Sequence, residues 1–161
     1  MGSPIGDMVR GAIAGGVATW VMDLVTTGML QGQDPKVTER EIAAMPNGKP
    51  AVANLVDRIE AATGRRLEPS VKDRLASVLH YALGIVPGAL YGLLRRFPIV
   101  GAKRGLVYGV LLWLLNDELL NTALGLAAPP QAYPLESHAR GLVGHIVLGI
   151  TTDAGIDILG G

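Results

Sequence analysis

Four stretches of this chain are apolar for long enough to cross a bilayer, and polar or Pro-rich segments separate them. The predicted spans are about residues 8–30, 71–94, 99–124 and 135–159, each near the roughly 20 residues that a membrane helix needs. Within each span the small and polar residues recur at every fourth position. The first reads Gly11, Gly15, Thr19, Asp23, Thr27, and the second His80, Gly84, Gly88, Gly92. The third reads Gly101, Gly105, Gly109, Trp113, Asp117, Asn121, and the fourth Gly141, His145, Gly149, Asp153, Asp157. Four residues advance an α-helix by one turn plus about 40°, so each row is one slowly winding stripe. Glycine at that spacing lets a second backbone approach closely, as in small-xxx-small packing of membrane helices. The pattern predicts an all-α membrane protein, a single domain built as a four-transmembrane-helix bundle.

Residues 31–70 leave this pattern and predict a small extramembrane helical cap. Asp34-Pro35 has the form of a helix start, with Asp as N-cap and Pro at the first helical position. Pro46-Asn47-Gly48 is turn chemistry. Val52, Leu55, Val56 and Ile59 then recur at helical spacing, with Gly64 as C-cap. Ser70-x-x-Asp73 predicts a capping box at the start of the second span, and Pro87 a kink within it. Residues 124–134 form a connector rich in Pro and Ala. Gly11, Gly15 and Asp23 align with Gly105, Gly109 and Asp117, and His80 and Gly84 with His145 and Gly149. That alignment predicts two repeated hairpins related by a two-fold along the membrane normal, an arrangement known in transporters.

Composition strengthens the membrane reading. A mean hydropathy of +0.36, 17% charged residues and 22 glycines are not those of a soluble enzyme. Fourteen basic and fourteen acidic side chains cancel, leaving no basic footprint for nucleic acid. The absence of cysteine excludes disulfides, thiolate metal sites and cysteine catalysis. Asp7 before Arg10, and Asp23 within the apolar stretch, predict a retained helix rather than a secretory signal. Arg95, Arg96, Lys103 and Arg104 crowd the turn between spans two and three without an acidic residue. By the positive-inside rule that turn and both termini are cytoplasmic, with the cap and the connector outside.

Depth then singles out four residues. Asp23 and Asp117 lie seven residues before Leu30 and Leu124, and His80 and His145 seven after Asp73 and His138, each roughly 10 Å below the outer boundary at 1.5 Å per residue. They are the predicted binding or proton-relay residues, with His80, Asp117 and His145 as the metal-ligand set should the site hold a divalent ion such as zinc or manganese. Taken singly, each could equally be an interhelical hydrogen bond that only stabilises packing. His138 is placed at the outer mouth. Glu118, off the Asp117 stripe by about 100°, is read as an outer-mouth or oligomer-contact residue. Tyr81, Tyr91, Tyr108, Trp20 and Trp113 are read as packing or interface residues. Asp153 and Asp157 are read as solvated charges near the cytoplasm or an inward extension of a polar path.

The segment Leu124-Gly125-Leu126-x-x-Pro129-Pro130-x-x-x-Pro134-x-Glu136, followed by Gly144-His145 and preceded by His80-x-x-x-Gly84, resembles the YagU-like family of bacterial inner-membrane proteins of unknown function. The resemblance covers about the second half of the chain. It implies an inner-membrane location, no assigned activity, and His80, Glu136 and His145 as the residues matching the family pattern.

Three functions compete. A small transporter or proton- or cation-binding membrane protein would use the Asp/His set as relay or ligands, and four spans would then call for a homo-oligomer. A haem protein would take His80 and His145 as axial ligands, with acidic neighbours as unusual company. An accessory subunit would pack against a larger membrane complex. No nucleophile–base pair, phosphate loop or metalloprotease signature is present, which argues against a hydrolytic enzyme.

Overall fold

Ser3 and Pro4 open the first helix, α1 (Pro4–Gln31): the Ser3 hydroxyl accepts from the Gly6 backbone N–H at 3.0 Å, and Pro4 needs no donor at the first helical position. The computed structural model describes residues 3–101 and 103–160, except the surroundings of Ile99 and Gly101. The cap contains α2 (Pro35–Ala44) and α3 (Ala51–Thr63), joined by a 3-10 turn at Pro46–Gly48. Asp34 caps α2 through a 2.8 Å bond from the Lys36 N–H, and Gly64 closes α3 in the left-handed region at φ 65°. Both ends lie where their residue types predict. Next comes α4 (Pro69–Leu94), which starts at Pro69 with Glu68 before it, not at Ser70. Proline is pre-set for the first helical position and claims it from the neighbouring Ser. Leu135–Ile158 forms the last helix, α8.

Three helices, α1, α4 and α8, are long and apolar enough to cross a membrane, with mean hydropathies of 1.4, 1.4 and 1.3. The predicted third span is not one unbroken α-helix. A short α5 (Pro98–Gly101) ends before Arg104 and Gly105, whose φ values are 47° and 76°. Helix resumes as α6 (Leu106–Trp113), widens to a π-helical stretch at Leu114–Leu120, and finishes as α7 (Asn121–Ala123). Gly105 is therefore the cap of α6 rather than a mid-helix spacer. Any side chain there would strike the Gly149 carbonyl as well as strain the backbone.

Small residues set the helix packing. α1 packs against both α4 and α8, and α6 packs on a further face of α8. A Cβ on Gly11 or Gly15 would collide with the carbonyls of Gly88 and Gly84 in α4, and one on Gly109 with the His145 carbonyl in α8. The α1–α4 and α6–α8 pairs each close along a glycine stripe, but in registers one turn apart: Gly11 meets Gly88, whereas Gly105, aligned with it, meets Gly149, the counterpart of Gly84. Ala14 and Ala18 of α1 and Leu148, Thr152 and Ile156 of α8 are buried, and Thr19 is buried against Gly84 of α4. Thr19 and Thr152 satisfy their hydroxyls on the carbonyls one turn back, at 2.8 and 2.7 Å. The large apolar side chains point the other way: Ile13, Val17, Leu24, Val78, Val86, Leu111 and Leu119 are all exposed. Small-and-polar inside with large-and-apolar outside suits a surface facing lipid.

Candidate functional site

The π-helical stretch decides the site. In the wider π-turn, with i to i+5 hydrogen bonds, successive residues rotate less than the 100° of an α-helix. Adjacent Asp117 and Glu118, both on this stretch, line one cavity of about 130 Å³. Trp113 and Asn121, a turn away on either side, complete that wall. Tyr133 from the connector and Ser137 and His138 from the first turn of α8 face them. Pro134 ends the connector and positions that first turn.

Hydrogen-bond arithmetic fixes one proton in the cavity wall. His138 Nε2 lies 3.0 Å from the Pro130 carbonyl, which can only accept, so Nε2 carries a hydrogen. His138 Nδ1 lies 2.6 Å from Glu118 Oε1. Either an imidazolium donates to a carboxylate there, or a carboxyl donates to a neutral imidazole. The pair is net neutral in both forms and keeps a proton that can shift between nitrogen and oxygen.

Asp117 and His145 form the neighbouring pair. The His145 Nδ1–H donates to the Gly141 carbonyl at 2.9 Å, and Asp117 Oδ2 lies 3.6 Å from the same nitrogen. That separation is an electrostatic contact, not a hydrogen bond. Asp117 Oδ1 accepts from the Asn116 side-chain amide at 2.9 Å. Oδ2 accepts no hydrogen bond among the described residues. Ser137 Oγ is likewise buried without a partner among them.

Asp23 and His80 do pair, at 2.8 Å between Oδ1 and Nε2, but across α1 and α4. Their side chains are each 37% exposed, against 7% for His145. Gly144, beside His145, packs on Met22 and Thr26, which bracket Asp23. The predicted single cluster is corrected to two pairs on two interfaces. Among the described residues no three His, Asp or Glu side chains gather to hold a metal ion, so the set His80, Asp117, His145 is not assembled. The haem arrangement meets the same obstacle, since the two imidazoles are committed to different interfaces. Glu136 is exposed in the first turn of α8 and does not line the cavity; a carboxylate there favours the helix N-terminus.

The inner end is also more ordered than the sequence reading allowed. Asp153 is buried and accepts from the Tyr91 hydroxyl at 2.7 Å, with Arg95 Nε 3.6 Å away. Asp157 bridges Arg95 and Arg104 at 2.5 and 2.8 Å. Both aspartates are ion-paired; Asp153 is buried, whereas Asp157 stays exposed as the sequence reading expected. Residues that sequence reasoning missed are Tyr133 and Ser137 in the cavity, and Arg140, which binds Gln33 at 2.6 Å and pairs with Glu41 to hold the cap down. The only sequence signal for Ser137 was its position beside His138 at the start of a span.

No family model matches the chain, and no curated protein or solved structure matches it either.

Proposed function

We propose that the chain is a multi-pass membrane protein that couples proton transfer to binding of a small solute in the Asp117–Glu118–His138 cavity. The observation that carries this reading is the His138–Glu118 contact, a shared proton beside a carboxylate oxygen without a donor, on a π-helical stretch of a kind frequent at functional sites. A solute donor or cation reaching Asp117 Oδ2 would disfavour a second proton on His145, and one competing for Glu118 would release its shared proton.

In this reading helical turns from Leu106 to Ala123, about 27 Å long at 1.5 Å per residue, make the fourth crossing of a four-helix bundle. The resemblance to the YagU-like family supports a bacterial inner membrane. The cationic Arg95–Arg104 turn supports cytoplasmic termini, with the cavity opening outside beneath the cap. A homo-oligomer remains part of the proposal, because four spans are few for transport.

Purified protein in lipid vesicles enclosing a pH dye tests it. Wild type should dissipate an imposed pH gradient faster than empty vesicles. Asp117→Asn and Glu118→Gln should fall to the empty-vesicle rate while remaining folded, and Glu136→Gln should match wild type. Failure of wild type to move protons, with a His138 imidazole titration by NMR unaltered in Glu118→Gln, overturns the reading.

A further inference from the structure

The connector between the π-helical stretch and α8 is fastened differently in its two halves. Residues 124–128 are tied down several times. The Leu126 and Ala127 N–H groups donate to the Asn121 carbonyl at 2.8 and 3.1 Å, and the Thr122 hydroxyl donates to the Ala128 carbonyl at 3.0 Å. From the cap, the buried Asn54 amide donates to the Leu126 carbonyl at 3.0 Å, and Arg58 to the Gly125 carbonyl at 3.3 Å. Residues 129–133 wall the cavity through Pro130 and Tyr133, and Pro129 and Pro130 have no N–H to donate. The Tyr133 hydroxyl reaches back within the connector, accepting from the Ala128 N–H at 3.2 Å. Among the described residues, the only hydrogen bond from this half to α8 or to the π-helical stretch is the one that the Pro130 carbonyl accepts from His138 Nε2 at 3.0 Å.

The same imidazole makes the Glu118 contact, so hydrogen counting links the wall to the shared proton. With that proton present, two hydrogens serve two acceptors. One lies between His138 Nδ1 and Glu118 Oε1, and the other, on Nε2, bonds Pro130. Once the shared proton has left for water, a neutral imidazole faces a carboxylate and a carbonyl with a single hydrogen. A charge-assisted hydrogen bond is about twice as strong as a neutral one, so the favoured tautomer carries that hydrogen on Nδ1, for Glu118. Nε2 then presents a lone pair to the Pro130 carbonyl, and the two repel. We infer that the proton shared by His138 and Glu118 latches residues 129–133 over the cavity, and that its loss frees this wall while residues 124–128 stay fastened. Proton loss and access to the cavity then change together, as coupling of a proton to a solute requires. The inference rests on the proton pair of the proposed function, though not on transport. The other titratable groups around the pair are Asp117 of the same stretch, with His145 beyond it, Tyr133 of the connector, its ring centroid 6.4 Å from that of His138, and exposed Glu136 of α8. The cap contributes Arg58, at the Gly125 carbonyl, and Glu41, which is committed to Arg140.

The test follows two signals in the full chain in detergent as pH is raised. One is the His138 imidazole by NMR. The other is hydrogen exchange of the Ala132 and Tyr133 amides, which donate to the Pro129 and Pro130 carbonyls at 2.9 and 3.1 Å, corrected for the intrinsic rate at each pH. Wild type should lose protection there about five-fold as the pair loses its proton, the worth of one neutral hydrogen bond, with the Leu126 amide unchanged. Glu118→Gln leaves no carboxylate to claim the hydrogen, so Nε2 keeps it and protection should persist across the range. His138→Ala should be unprotected at every pH. A poorly folded chain would also lose protection, but it would not show the gain at high pH expected of Glu118→Gln. Protection that ignores the His138 titration in wild type, or follows it equally in Glu118→Gln, overturns the latch and leaves proton coupling standing. If His138 titrates identically in wild type and Glu118→Gln, no proton is shared, and the latch and the proposed function fail together. If protection tracks the titration but vesicles move no protons, transport fails and the latch stands.

Discussion

Replacing Gly88 by Ala sets two opposed effects against each other, and the structure says which wins. Glycine in a helix interior is worse than alanine by about 1 kcal/mol, so the substitution should help α4 as an isolated helix. The new Cβ, however, would sit 2.5 Å from the Gly11 carbonyl oxygen and 3.0 Å from the Gly15 Cα. Ordinary C···O contacts begin at about 3.3 Å, so α1 and α4 must move apart by most of an ångström. Both obstacles are backbone atoms, and no rotamer change relieves them. Overpacking of this kind costs about 1–3 kcal/mol, and parting the helices also loosens the contacts of Gly84 and Gly92 on the same stripe. The expected net is a loss of up to about 2 kcal/mol, or several degrees at about 2–4 °C per kcal/mol for a chain of this size. Gly28, in the same long α1, has no atom within 4 Å of its Cβ position. Gly28→Ala should therefore gain up to about 1 kcal/mol. Thermal unfolding of both variants in detergent, followed by circular dichroism, gives the comparison. If Gly88→Ala stabilises as much as Gly28→Ala, α1 and α4 do not touch along this stripe and the packing described here is wrong.

The cap provides a pH prediction. Lys49 and Lys72 hydrogen-bond to Asp57, and Lys72 with the Leu67 backbone N–H holds Glu60, so both carboxyls lie below their ordinary values of 3.8 and 4.5. Carboxyls lowered by folding stabilise above those unfolded values and lose that contribution as pH falls through the folded ones. Amide exchange in α3 should accelerate below about pH 4.5, and Lys72→Met should flatten that dependence; a pH-independent α3 would refute the link. Topology is readable by thiol labelling, because the chain has no cysteine. In intact cells Lys49→Cys, in the cap, should react with an impermeant reagent, and Phe97→Cys, 60% exposed in the basic turn, only after permeabilisation. The opposite pattern reverses the proposed orientation and puts the cavity inside.

Much of the architecture could be read from one chain because its signals are local. Asp34-Pro35 and Gly64 place their helix ends through bonds within a few residues. The fourfold glycine rows name the faces that meet, since an absent side chain is visible in any sequence. Apolar length alone marks α1, α4 and α8 as able to cross a membrane. Pairing, by contrast, was decided in three dimensions. Residues at one depth on four stripes can meet as a single cluster or two by two, and helix order around α8 selects the second. The break at Gly105 depends on how near Gly149 approaches, a contact between residues far apart in the chain. The π-helical turn that carries Asp117 and Glu118 leaves no periodicity in a sequence read at 3.6 residues per turn. It took the folded helix, with His138 opposite at 2.6 Å, to put both carboxylates in one cavity.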